Sequence, residues 1–166
     1  MADVRPASDS DIPDLCDLYL QFHEFHVDRI PERLLSLRSR WDQQGAELAE
    51  RLREILRDRD SAVLVAVVDE EIAAFSEIYL REEVSKARRD CCYCHLQSMF
   101  VSARHRGRGV GRLLLEASES WARSRGATEM RLDVWEFADG PSRFYERCGY
   151  HPYRRSYARP LEHATR

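Results

Sequence analysis

The alternation of apolar and polar positions divides the chain into a series of elements. "DVRPA" at 3–7 reads as a short strand, and "SDSD" at 8–11 is a cluster of N-cap formers. Pro13 then falls in the first turn of a helix that runs through "IPDLCDLYLQFHEFHV". Pro31 breaks that pattern, and a second helix lies within "WDQQGAELAERLREILRDRD". "SAVLVAVVDEEIAAFSEIYLRE" predicts a β-hairpin turning at 69–71, "REEVSKARRD" a charged loop, and "CYCHLQSMFV" another strand. The next helix carries an apolar stripe at Val110, Leu114, Ala117 and Trp121 and stops at Gly126, with Arg123 and Arg125 in its last turn. "MRLDVWEF" predicts a strand and "GPSRFYERCG" a short helix, with Pro141 near its start and Gly149 as its cap. "YHPYRRSYARPL" would supply one or two closing strands. The order β-α-α-β-β-β-α-β-α-β predicts an α/β (α+β) fold, a mixed sheet with helices on its faces.

Composition narrows the class. A chain of 166 residues, 43% hydrophobic and 33% charged, suits one globular domain spanning 1–166. Its longest apolar run, "AVLVAVV" at 62–68, is too short to cross a membrane, and "MADVRPASDSD" is acidic with no apolar core. A cytoplasmic protein with no membrane partner is the expectation. Net charge is −3, and the arginines of "ERLREILRDRD" alternate with acids as on a solvated helix face, so no nucleic-acid partner is expected. Five cysteines, an odd number, point to free thiols. "CCYCH" at 91–95 lacks zinc-knuckle spacing: on a strand Cys92 and Cys94 share a face, with Cys91 and His95 off it, so no metal is expected.

The chemistry concentrates in "RHRGRGVGRLLLEASESW" at 104–121, where glycines and arginines precede an apolar helix. Glycine allows sharp turns and close approach of a ligand, and a helix start offers unpaired N–H groups to an anion. The dinucleotide fingerprint fails, because Gly107 and Gly109 fit but the third glycine position holds Arg112. The nucleotide P-loop fails too, since no Gly-Lys pair exists. What remains is R-x-x-G-x-G at Arg106, Gly109 and Gly111, which resembles the acetyl-CoA loop of the GCN5-related N-acetyltransferases, the GNAT family. The strand "LQSMFV" before it, the strand "MRLDVWE" after its helix and "FYERCGY" at 144–150 resemble that family as well, the last matching F-Y-x-x-x-G-[FY]. The resemblance covers about 63–153.

It implies a mostly antiparallel central sheet of about six to seven strands flanked by about four helices. It also implies transfer of acetyl from acetyl-CoA to a primary amine of a small molecule or protein, by direct attack in a ternary complex; the alternative is a non-catalytic acyl-CoA-sensing module. By the resemblance, backbone groups of Met99, Phe100 and Val101 would bond the pantetheine arm. Amides of Arg106, Gly107, Arg108, Gly109, Val110, Gly111 and Arg112 would wrap the pyrophosphate, with Arg104, Arg106, Arg108 and Arg112 as counter-charges. Tyr145 matches the family's general acid and joins the cofactor contacts. Three sources remain open for the base: Glu77, sharing a strand face with Phe75 and Tyr79; His95, on the face of Gln97 by alternation; or a water chain. Gln97 or Ser98 stands where the family often has a carboxylate, and Ala138 and Pro141 replace its usual Asn and Ala. His23 and His26 lie where the family's first helices wall the acceptor site, though a solvated helix face accounts for them more simply. A homodimer is compatible with all of this.

Overall fold

Asp11 ties the first strand to the first helix in the computed structural model, which describes residues 2–84, 86–87 and 89–161. Its carboxylate accepts the Ser8 backbone N–H (2.7 Å) and the Ser8 hydroxyl (2.8 Å). It also takes both arms of the Arg5 guanidinium, at 2.7 and 2.8 Å. The Arg5 bonds hold the Asp11 carboxyl well below the usual carboxylate range in spite of its burial. A depressed folded pKa stabilises above the unfolded value of about 4 and stops doing so as pH falls through the folded value. Asp11→Asn should therefore cost about 2 kcal/mol at neutral pH. Urea melts of both proteins at pH 7 and pH 3 should show that difference narrowing in acid.

From that junction the chain runs β1 (Asp3–Pro6), α1 (Ile12–Val27), α2 (Trp41–Arg57), β2 (Ser61–Val68), β3 (Glu71–Glu83), β4 (Cys91–Val101), α3 (Val110–Ser124), β5 (Glu129–Leu132) and α4 (Ser142–Arg147). The β2–β3 hairpin turns through Asp69 and Glu70 at φ 50° and 66°, the left-handed pair that matches strand twist. The strands form one sheet in the order β1-β2-β3-β4-β5, antiparallel except for β4 with β5. Two residues interrupt the ladders. Ala73 is extra in β3, since Ala66 pairs with Ala74 and Val67 with Ile72. Gln97 is extra in β4, since Glu77 pairs with Ser98 and Ile78 with Leu96.

Helices α1 and α2 cover one face, where Leu15, Leu18, Leu52 and Ile55 meet Val63, Val65 and Phe75. Tyr19 stacks on Phe75 with centroids 4.0 Å apart. Each fully buried side chain of this size contributes about 2–3 kcal/mol. Helix α3 packs on the other face, where the hydroxyls of Ser76 and Ser118 bond at 2.8 Å. The buried stripe of α3 is Val110, Leu114, Leu115, Ser118 and Ala122. The expected stripe is therefore rotated: Ala117 and Trp121 are only half-buried, because Ser118 satisfies its polarity inside through Ser76 and the Leu114 carbonyl.

The expected six to seven strands are five among the described residues, and the four expected helices are present. Strand β5 ends at Leu132, and 133–137 carry no strand. The closing strands expected in 150–161 do not form within the described residues. Pro152 and Pro160 cannot donate to a ladder, and Tyr153, Tyr157 and Leu161 are exposed rather than alternating into a core. Contacts divide the chain into one compact unit up to Asp133 and a second from Val134 on. In the second, α4 follows Pro141, and Gly149, whose φ is 91°, lies just past its C-cap Cys148. All five cysteines are free thiols, and no described helix is long and apolar enough to cross a membrane.

Candidate active site

The segment from β4 into α3 builds an anion-ready helix start. Beyond Val101, the Ser102 N–H bonds the Ala73 carbonyl (2.9 Å), and the Ser102 hydroxyl meets Nδ1 of buried His105 (2.8 Å). The chain then passes through Gly107 and Gly109 at φ 73° and 80°, and a Cβ at either would meet nothing within 4 Å. Left-handed backbone with open space before it is what close approach of a ligand requires. Gly109 is the N-cap of α3, no side chain caps it, and the first helical bond runs from the Leu113 N–H to the Gly109 carbonyl at 3.1 Å. The amides of Val110, Gly111 and Arg112 thus precede the helical ladder, at the positive end of its dipole.

The four candidate counter-charges differ in what already holds them. Arg104 pairs with Glu71 at 2.9 Å and Arg112 with Glu116 at 3.0 Å, both on the surface. Such exposed pairs are worth under about 1 kcal/mol and exchange readily for a phosphate. Arg108 is exposed and makes no ion pair among the described residues. Arg106 turns elsewhere: its Nε donates to the Val101 carbonyl at 3.0 Å, and its guanidinium lies 4.6 Å from the Phe25 ring centroid and 5.1 Å from that of Phe100. It braces the loop against α1.

Strand β4 has an open side. Its pairing with β5 covers Tyr93, Cys94, His95 and Leu96, so 97–101 hold β3 on one edge and no strand on the other among the described residues. Met99, Phe100 and Val101 lie on this stretch, with the Phe100 side chain in the core beside Phe75. The open edge and the uncapped helix start together fit an extended ligand that ends in a phosphate.

On the face covered by α1 and α2, Glu77 is buried, at 1% exposure, and enclosed by donors from three elements. Arg51 of α2 donates at 2.5 Å, the Tyr79 hydroxyl of β3 at 2.5 Å, and the Tyr19 hydroxyl of α1 completes the set. Burial first, and then the carboxylate beside them, push both phenols above their ordinary range. Tyr79 pairs with His95 and Glu77 with Ser98, so His95 and Ser98 stand on this same face. His95 is half-buried; burial lowers its pKa, Arg81 adds to that and Asp133 opposes it. The neutral imidazole is thereby favoured. Sequence reasoning singled out Glu77 and His95 but missed Arg51 and Tyr19; the available signal was an acid inside the buried run "AAFSEIY", which demands a cation and donors.

The helix histidines are structural in their bonding. His23 Nε2 meets the Leu35 carbonyl at 2.8 Å and His26 Nδ1 the Phe22 carbonyl at 2.9 Å. Tyr145 belongs to the second unit, where its ring lies edge-on to Phe144 and Tyr150, at 5.1 and 5.7 Å between centroids. Its hydroxyl makes no hydrogen bond among the described residues, and burial raises its pKa above the phenol range.

Comparison with known proteins gives four further findings. The model of the "Acetyltransferase (GNAT) family" matches residues 14–150. An aminoglycoside N(6')-acetyltransferase type 1 of Stenotrophomonas maltophilia is 33% identical over 85 residues, and the match spans 51% of this chain and 56% of that protein. Among solved structures, a mutant of the BH1408 protein of Bacillus halodurans superimposes with a TM-score of 0.86 at 26% identity, over 96% of this chain and 99% of that one. The aminoglycoside N-acetyltransferase AAC(6')-Iy, solved with CoA, shares the fold at a TM-score of 0.72 and 18% identity, over 97% and 95% of the two chains.

Proposed function

Because this chain belongs to the GNAT family of acetyltransferases, and the family match runs across both compact units, we propose that it acts as one acetyl-CoA-dependent N-acetyltransferase domain on a primary amine. The reading is carried by one conjunction: an uncapped helix start behind left-handed glycines, reached along an unpaired strand edge. Acetyl-CoA, the family's acyl donor, supplies a thioester whose carbonyl the amine attacks and whose thiolate departs.

The amides of 107–112 hold the pyrophosphate, with Arg108 as the first counter-charge and Arg104 and Arg112 recruited from their surface pairs. Backbone groups of Met99, Phe100 and Val101 hold the pantetheine arm, Val101 with its carbonyl already taken by Arg106. Tyr145 gives the thiolate its proton. His95 takes the proton of the amine, in preference to Glu77, whose oxygens are occupied by Arg51, Tyr19 and Tyr79. The amine attacks directly in a ternary complex. The relative from Stenotrophomonas makes amino sugars the first acceptors to try.

Thiol release from acetyl-CoA across a panel of primary amines, aminoglycosides first, tests the reading. With a good acceptor, kcat/KM between pH 5 and 9 should show a limb with an apparent pKa below about 6.5. Burial sets that direction, with Asp133 opposing it and Arg81 adding to it. His95→Gln should remove that limb and leave only the rise from deprotonation of the amine itself. Binding of acetyl-CoA with no turnover on any amine would make the protein an acyl-CoA sensor instead.

A further inference from the structure

A phenol has a single proton to donate and lone pairs with which to accept. In Tyr79 the proton is committed to Glu77 Oε1 at 2.5 Å. The direction of that bond is fixed, because Glu77 is paired with Arg51 and can only accept. Of the three groups that enclose Glu77, Tyr19 is buried and Arg51 has only donors, whereas Tyr79 is half-buried and reaches the side of the sheet that carries His95. The Arg51 guanidinium, itself bound to Glu77, restrains the rise in the Tyr79 pKa. With its proton on Glu77, the Tyr79 hydroxyl keeps lone-pair capacity to accept from outside.

We propose that Tyr79 is the specificity-determining residue that receives the acceptor amine: its oxygen takes one N–H of a primary amine beside His95, and Glu77 is the positioning residue that keeps the Tyr79 proton turned away. The inference rests on the N-acetyltransferase reading. The Arg51–Glu77 pair is net neutral behind this oxygen, and the Arg81 guanidinium lies 4.9 Å from the Tyr79 ring centroid. This face therefore favours the neutral, nucleophilic amine over the ammonium ion. It equally explains why a carboxylate too enclosed to meet substrate stands on this face. An acceptor group without an N–H or O–H has nothing to offer Tyr79, whose hydroxyl cannot turn to donate.

The test uses the best acceptor amine of the panel. Calorimetry on the CoA-loaded protein gives its Kd, and steady-state kinetics give KM and kcat. Tyr79→Phe should raise acceptor Kd and KM about 10-fold, the loss of one hydrogen bond, with kcat and the KM for acetyl-CoA within about 3-fold of wild type. Glu77→Gln lets the new amide donate to Tyr79 and turns the hydroxyl outward, so acceptor affinity should fall by a similar factor. In the Tyr79→Phe background Glu77→Gln should add no further loss, as groups acting through one another do. If Glu77→Gln melts below the assay temperature because Arg51 is left unpaired, Tyr79→Phe alone decides. An unchanged acceptor Kd in Tyr79→Phe overturns the proposal while the enzyme reading stands. A wild type that binds acetyl-CoA but turns over no amine overturns both.

Discussion

Gly109→Val should abolish the stabilisation that acetyl-CoA confers on the protein. With the ligand at about 100 times Kd, the wild type should gain about 2.7 kcal/mol, read as a rise in Tm, and the variant none. The cause is not crowding, since a Cβ at Gly109 meets no protein atom within 4 Å. Two other effects act. A β-branched residue at φ 80° is strained, which should lower the stability of the unliganded protein by roughly 1–3 kcal/mol. The new side chain would also fill the open space at Gly109, next to the Val110, Gly111 and Arg112 amides proposed to hold the pyrophosphate. Gly126→Val separates the two. Gly126 lies just beyond the far end of α3 at φ 82°, again with open space around its Cβ, so it carries the same strain away from the loop. That variant should melt lower yet keep the full ligand shift. A ligand shift that survives in Gly109→Val would overturn the assignment of the loop.

What the sequence made legible is what depends on neighbours in the chain. The cap at Ser8 and Asp11, the turn through Asp69 and Glu70 and the glycine start of α3 are all local, and each stands where its residue types place it. Less legible was anything decided by distant partners. Gln97 looks like one more position in an alternating strand, yet it is the extra residue that sets Ser98 opposite Glu77. Glu77 reads as a lone strand carboxylate, but its partners Tyr19 and Arg51 arrive from helices 58 and 26 residues away in sequence. Arginines can be counted in the loop, but their commitments cannot: Arg106 turns to the Phe25 ring of α1, a contact between two elements with no shared sequence pattern. The same limit explains the rotated stripe of α3, which Ser118 joins only because Ser76 lies across from it.

Tyr145→Phe should lower kcat by about 10²-fold while leaving the fold and the affinity for acetyl-CoA as they are, if Tyr145 is the general acid. The backbone around it is fixed independently of the hydroxyl: the Tyr145 carbonyl accepts the N–H groups of Cys148 (2.9 Å) and Tyr150 (3.0 Å). Its ring contacts with Phe144 and Tyr150 are kept by phenylalanine. The hydroxyl has no partner among the described residues, so its removal breaks no bond and should cost little stability. Burial raises the phenol above its usual value near ~10, so the proton is in place at every pH from 6 to 9 and the acid adds no limb of its own to the rate profile in that range. The variant should thus reproduce the wild-type pH dependence at a uniformly lower rate, the opposite of His95→Gln, which changes the shape of the profile. The decisive measurement is kcat at saturating acetyl-CoA and acceptor, alongside the ligand-induced shift in Tm as a control for binding. Full turnover in Tyr145→Phe would leave Tyr145 a packing residue between Phe144 and Tyr150, and the thiolate would then draw its proton from water.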